Sequence, residues 1–64
     1  MSEVRSLVRV VAPRFVAGMI MEGDRCIDAA PILWRHVLGR TLAEIARFST
    51  GRGWQIEVVD QWEE

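Results

Sequence analysis

Gly23-Asp24, set between the apolar runs "MIME" and "RCID", constrains this chain most. A two-residue turn with glycine first suits the primed turns that close antiparallel hairpins. It also implies a register: Glu22 opposite Arg25, Met21 opposite Cys26, Ile20 opposite Ile27, Met19 opposite Asp28 and Gly18 opposite Ala29. Side chains alternate along a strand. One face of the hairpin therefore carries Val16, Gly18, Ile20, Ile27 and Ala29, and the other Phe15, Ala17, Met19, Met21, Cys26 and Asp28. Both are more apolar than a solvated sheet face. The aliphatic face with its small residues suits close packing by helices. The softer Met face is then left for a partner, or for a second copy of the chain, because methionine adapts to many surfaces.

Around the hairpin the pattern predicts the remaining elements. "LVRVVA", Leu7 to Ala12, is a strand rich in β-branched residues, ended by Pro13. "RFVAGMIME", Arg14 to Glu22, and "RCIDAA", Arg25 to Ala30, are the hairpin strands. Pro31 is placed to open a short helix with Leu33, Trp34, Val37 and Leu38 on one side, and Ile32, Arg35 and His36 on the other. Thr41 and Glu44 have capping-box spacing at the start of a second helix. Leu42, Ile45, Ala46 and Ser49 share a face of that helix, with Phe48 at its edge. Gly51-Arg52-Gly53 stops the helix; a phosphate-binding turn or an RGG-like fragment is the alternative reading of the same three residues. "WQIEVV", Trp54 to Val59, is a last strand, followed by an acidic tail over residues 60–64. We expect a single α+β domain over residues 1–64, a small antiparallel sheet of order β-β-β-α-α-β with two short helices packed on one face.

A chain of 64 residues buries only about 60% of the surface its unfolded form exposes. Its core supplies ~3–5 kcal/mol of net stability. With one cysteine, Cys26, it has no internal disulfide and no metal knuckle. His36 is the one histidine, placed on the polar side of the first helix with no nucleophile beside it in the sequence. No P-loop, dinucleotide fingerprint or metal-ligand spacing occurs. We therefore expect a non-enzymatic protein with no catalytic residue, cofactor or metal. The eight basic residues are all arginine and the net charge is −1, which argues against direct binding to nucleic acid. Met1 to Arg5 lack the pattern of a secretory leader, and no apolar run approaches the ~18–20 residues of a membrane span. A cytoplasmic protein with no membrane contact is expected.

Two groups of residues are candidates for partner contact. Phe15, Met19, Met21 and Cys26 form the soft sheet face, suited to protein binding or a homodimer in which two Cys26 thiols approach each other. Glu57, Asp60, Trp62, Glu63 and Glu64 set carboxylates around an aromatic ring, suited to a basic partner. The arginines Arg35, Arg40, Arg47 and Arg52 surround the helices as a solvated face.

"FVAG" (Phe15–Gly18), "AAPIL" (Ala29–Leu33) and Gly53-Trp54 together resemble a type of small protein encoded by phages and prophages. The resemblance runs from Ala12 to Val59. That type has no assigned activity, so no catalytic residue carries over. By size, origin and missing chemistry it implies a protein that binds and blocks a host complex, as anti-CRISPR proteins block CRISPR effectors. Two other readings stand beside it: a dimeric, arginine-bearing DNA-binding regulator, and a structural or accessory phage protein that self-assembles.

Overall fold

The computed structural model describes residues 4–63. The elements run β1 (Val4–Val11), β2 (Val16–Glu22), β3 (Arg25–Ala29), α1 (Pro31–Val37), α2 (Leu42–Arg52) and β4 (Gln55–Glu63), in the order the sequence predicts. The strands form one sheet of order β3-β2-β1-β4, antiparallel at every pairing. β4 returns beside β1, which places the valine-rich first strand in the interior of the sheet.

Local chemistry accounts for the element ends. Gly23 sits at φ 59°, the positive value a primed turn requires of its first central residue. Thr41 caps α2 with a reciprocal box: its hydroxyl accepts from the Glu44 amide, and the Glu44 carboxylate accepts from the Thr41 amide. Those hydrogen bonds, from the Thr41 backbone first, hold the Glu44 carboxyl below the usual carboxylate range. α2 ends at Gly53, which takes a left-handed φ of 74°.

The helices cover the opposite sheet face from the one the sequence pattern suggests. Val8, Val10, Met19, Met21 and Cys26 lie beneath Leu33, Val37 and Ile45, each at most 2% exposed. Val16 is 62% exposed and Ile27 41%. The Met face is core, and the Val16–Gly18–Ile20 face is bare.

Two features of the pairing explain this inversion. First, β1 lays Arg5 and Arg9 on the Ile20 face, next to Glu22 and Gly18 on β2 and to Trp62 and Glu57 on β4. Burying those charges under helices would require desolvating them. Second, β3 is irregular beyond Met21–Cys26: Ile20 faces Asp28 and Met19 faces Ala29. Ile27 is the extra residue of this bulge, not the partner of Ile20, and Asp28 is not the partner of Met19. The bulge moves the Asp28 carboxylate off the core face and puts small Ala29 there, where α1 packs.

The helices bury narrower stripes than expected. α1 buries Leu33 and Val37, whereas Trp34 and Leu38 of the expected apolar side are exposed. α2 buries Ile45 and Ser49, one turn apart. The Ser49 hydroxyl has no hydrogen-bond partner.

The outer edge of β3 is closed by the segment after α1. Gly39 N–H donates to the Cys26 carbonyl (2.8 Å), Cys26 N–H to the Arg40 carbonyl (3.0 Å) and Leu42 N–H to the Asp24 carbonyl (2.6 Å). β4 is the other edge of the sheet.

Met21→Ala removes a fully buried side chain and should destabilise the fold by ~2–5 kcal/mol, comparable with the whole net stability of so small a core. Val16→Glu should leave the fold intact. Urea unfolding followed by far-ultraviolet circular dichroism separates the two, and equal midpoints would overturn the assignment of faces.

Candidate interaction surfaces and an aromatic cleft

Strand alternation puts Leu7 and Val11 of β1 on the bare face, with Val16, Gly18 and Ile20 of β2 beside them. Gly18 makes this face shallow at its centre. A methyl group there would meet Leu7 Cδ1 at 3.7 Å, so the Leu7 side chain lies against the glycine. A depression of about 250 Å³ results, lined by Leu7, Val16, Gly18 and Val59 among others. Ion pairs cross it from strand to strand: Arg5 to Glu22 at 3.0 Å and Arg9 to Glu57 at 2.6 Å. Both are partly solvated, so each adds at most about 1 kcal/mol. Their effect is to place both signs of charge around an apolar centre.

β4 borders this surface. Its pairing with β1 runs to Val4–Glu63, with a shift of register between Leu7 and Val8. Residues 60–63 are therefore strand, not the separate acidic tail expected from composition. Val58 (57%) and Val59 (51%) are both exposed at the irregularity, so apolar surface appears on each side of the strand. Glu57 is engaged by Arg9, and Asp60 accepts from the Gln61 amide through Oδ1. Trp62 lies opposite Arg5, on the bare side, and Glu63 lies opposite Val4. The structure thus brings Glu57, Asp60, Trp62 and Glu63 onto one exposed strand, while Glu64 falls outside the described residues.

The other expected group is divided. Met19, Met21 and Cys26 are core, so they offer no contact surface while the helices are in place. A dimer seam through them, with the two Cys26 thiols meeting, is overturned by the Leu33, Val37 and Ile45 side chains that cover them. The Cys26 thiol donates to the Asp28 carbonyl at 3.2 Å, and burial pushes its pKa up. That is the opposite of what a nucleophilic cysteine needs.

Phe15, half-buried, packs against that same core and begins a run of rings. Its ring meets Trp54 edge to face at 5.2 Å, Trp54 meets Phe48 at 5.5 Å, and Phe48 stacks on His36 at 5.3 Å. His36 is therefore half-buried in a ring stack, not a solvated residue of α1. The Arg52 guanidinium lies 4.4 Å from the Phe48 ring centre and 5.7 Å from that of Trp54. Beside these rings opens a cleft of about 580 Å³, walled by Pro13, Phe15, Ile32 and Trp54 and edged by Arg14 and Arg52.

The three segments that carry the resemblance to phage-encoded proteins converge at this cleft: Phe15 from "FVAG", Ile32 from "AAPIL", and Trp54 from the closing Gly-Trp. Sequence reasoning places Phe15 on the Met face, where it packs against the core, and prefers a helix stop to a phosphate-binding turn at residues 51–53. A usable signal was present: Phe48 precedes Arg52 by one helical turn, and the left-handed Gly53 swings Trp54 back toward both.

Among the described residues, no group of three or more His, Cys, Asp or Glu side chains is placed to hold a metal ion. Among the same residues, no helix is long and apolar enough to cross a membrane. No protein-family model matches the chain, and no curated protein and no solved structure matches it.

The raised thiol pKa has a measurable consequence. A folded-state thiol pKa above its unfolded value of about 8.5 adds stability that is fully present below that pH and is lost as pH rises through the folded pKa. Cys26 should therefore react slowly with iodoacetamide at neutral pH in the native protein, and Cys26→Ala should flatten the loss of stability at alkaline pH. Rapid labelling of the native protein would contradict the buried position.

Proposed function

We propose that this protein is a non-enzymatic binding module that docks on another protein through its bare sheet face, with β4 as the border that selects the partner. The observation that carries this is an apolar sheet face that no helix covers, with Val16 and Val59 exposed and Leu7 and Ile20 half-buried between the strands. The rule that a sheet face is either packed or polar is broken there. Asp60, opposite Leu7 on the bare side, favours a basic partner surface, with Trp62 on the same side as a candidate anchor; Glu57 is already paired with Arg9, and Glu63, opposite Val4, lies on the other side of the strand.

The finer reading rests on the resemblance to small phage-encoded proteins. In it the partner is a host complex that handles nucleic acid, and docking hides the basic surface on which that complex holds its strand. Inhibition of a CRISPR effector is the case we would test. Plasmid transformation into cells with an active, matching CRISPR system should rise when the protein is co-expressed. It should fall back with Val16→Glu or Asp60→Lys, both at exposed positions. Failure to protect against any of a panel of CRISPR types would remove the anti-CRISPR reading.

A second reading is favoured by the ion pairs on the bare face. Arg5–Glu22 and Arg9–Glu57 present both charges within one patch, the arrangement that lets a surface meet its own copy about a two-fold axis. Self-assembly then occurs sheet to sheet, not through the methionines. Light scattering should give twice the chain mass for the wild type and the single-chain mass for Val16→Glu. A wild-type monomer at high micromolar concentration would rule out this assembly.

A further inference from the structure

We infer that the cleft between the β1–β2 turn, the start of α1 and the end of α2 is a binding site for a phosphate carrying a planar base, a nucleotide or the end of a single strand. This site lies apart from the bare sheet face, and its case does not depend on how that face is used.

The first support is charge. Several carboxylates are engaged elsewhere: Glu22 pairs with Arg5, Glu57 with Arg9 and Glu44 with Arg40, while Asp28 and Asp60 accept from the Ala29 and Gln61 amides. Neither Arg14 nor Arg52 has an acidic partner among the described residues. Two exposed guanidiniums therefore edge a cleft in which no carboxylate of the described residues pairs with them. A guanidinium presents a planar fork that matches phosphate oxygens two at a time.

The second support is the wall. Phe15, Ile32 and Trp54 line the cleft, with Pro13 at its mouth. Trp54 is held from two sides by edge-to-face contacts with Phe15 and Phe48, so its orientation is preset. Arg52 is aligned by the Phe48 and Trp54 rings. Bases are commonly recognised by aromatic rings and arginine planes, without hydrogen bonds that read their sequence. A small aliphatic carboxylate would use the arginines but leave the ring wall without a flat partner. The volume, about 580 Å³, falls within the range of small-ligand sites.

The third support is a limit on size. A net charge of −1 and the carboxylates along β4 disfavour a long polyanion. Two arginines are enough for one or two phosphates. The ligand is accordingly a single nucleotide unit rather than a duplex.

The chain has three tryptophans, so Trp34→Phe/Trp62→Phe leaves Trp54 as the sole indole reporter. In that background, adenosine monophosphate should change the Trp54 emission in a saturable way. Adenosine alone and inorganic phosphate alone should each bind at least about tenfold more weakly, since each meets only half of the site. Arg14→Glu and Arg52→Glu should each weaken binding by at least about tenfold, with unchanged circular dichroism. Arg14 is exposed and, unlike Arg52, does not lie over the rings, so its variant tests the site even if Arg52→Glu disturbs the ring stack. A 5′-phosphorylated tetranucleotide run in parallel distinguishes the source: tighter binding than the monophosphate identifies a strand end, and equal or weaker binding a free nucleotide. The absence of saturable change with both up to about 10 mM, or affinity indifferent to Arg14→Glu, would overturn the site.

Discussion

The position of Arg5 and Arg9 on β1 organises this structure. β1 pairs with β2 on one side and β4 on the other, so its two charged side chains share a face with residues from both neighbours. Arg5 meets Glu22 and Arg9 meets Glu57 on that face. These pairs contribute little energy, being partly in water. They matter because a helix laid over them would strip four charges of solvent, a penalty larger than a domain with only a few kcal/mol of net stability can absorb. The helices therefore pack on the other side of the sheet, where β1 offers Ser6, Val8 and Val10.

That choice makes the methionines and Cys26 into core. Met19 and Met21 fill irregular space under two helices that each bury only a narrow stripe, a task suited to unbranched, flexible side chains. The β3 bulge completes the arrangement by turning Asp28 away and bringing Ala29 under α1. The same choice leaves Val16 and Val59 exposed and Ile20 half-buried, giving a sheet with one packed face and one apolar face that no helix covers. Protein docking is the use most consistent with such a face. The aromatic run from His36 ends in the Trp54 and Phe15 rings that wall the cleft.

Much of the fold was legible in the sequence. The six elements and their order follow from local signals that need no tertiary partner: the Gly23 turn, Pro31 at a helix start, the Thr41–Glu44 box and the Gly53 stop. Element ends drifted where local signals are weak. β4 runs on through Asp60 and Trp62 because pairing with β1 supplies hydrogen bonds that an isolated acidic tail would lack. The candidate site was less legible. Alternation places Phe15 on the Met face, and it packs against that core, but its ring contact with Trp54 joins segments far apart in the chain and has no local signal.

Sequence alone determined the inventory: one α+β layer pair, an antiparallel hairpin at Gly23-Asp24, and two sheet faces too apolar for both to be solvated. It could not decide which face the helices would take, because alternation along one hairpin treats its two sides alike. That symmetry is broken only when β1 and β4 add their side chains, and when one bulged residue in β3 shifts the pairing. Tertiary structure also decided that Phe15, Ile32, Arg52 and Trp54 meet at one cleft. Each residue's local pattern has its own explanation, and their proximity arises from the way the helices return the chain to β1.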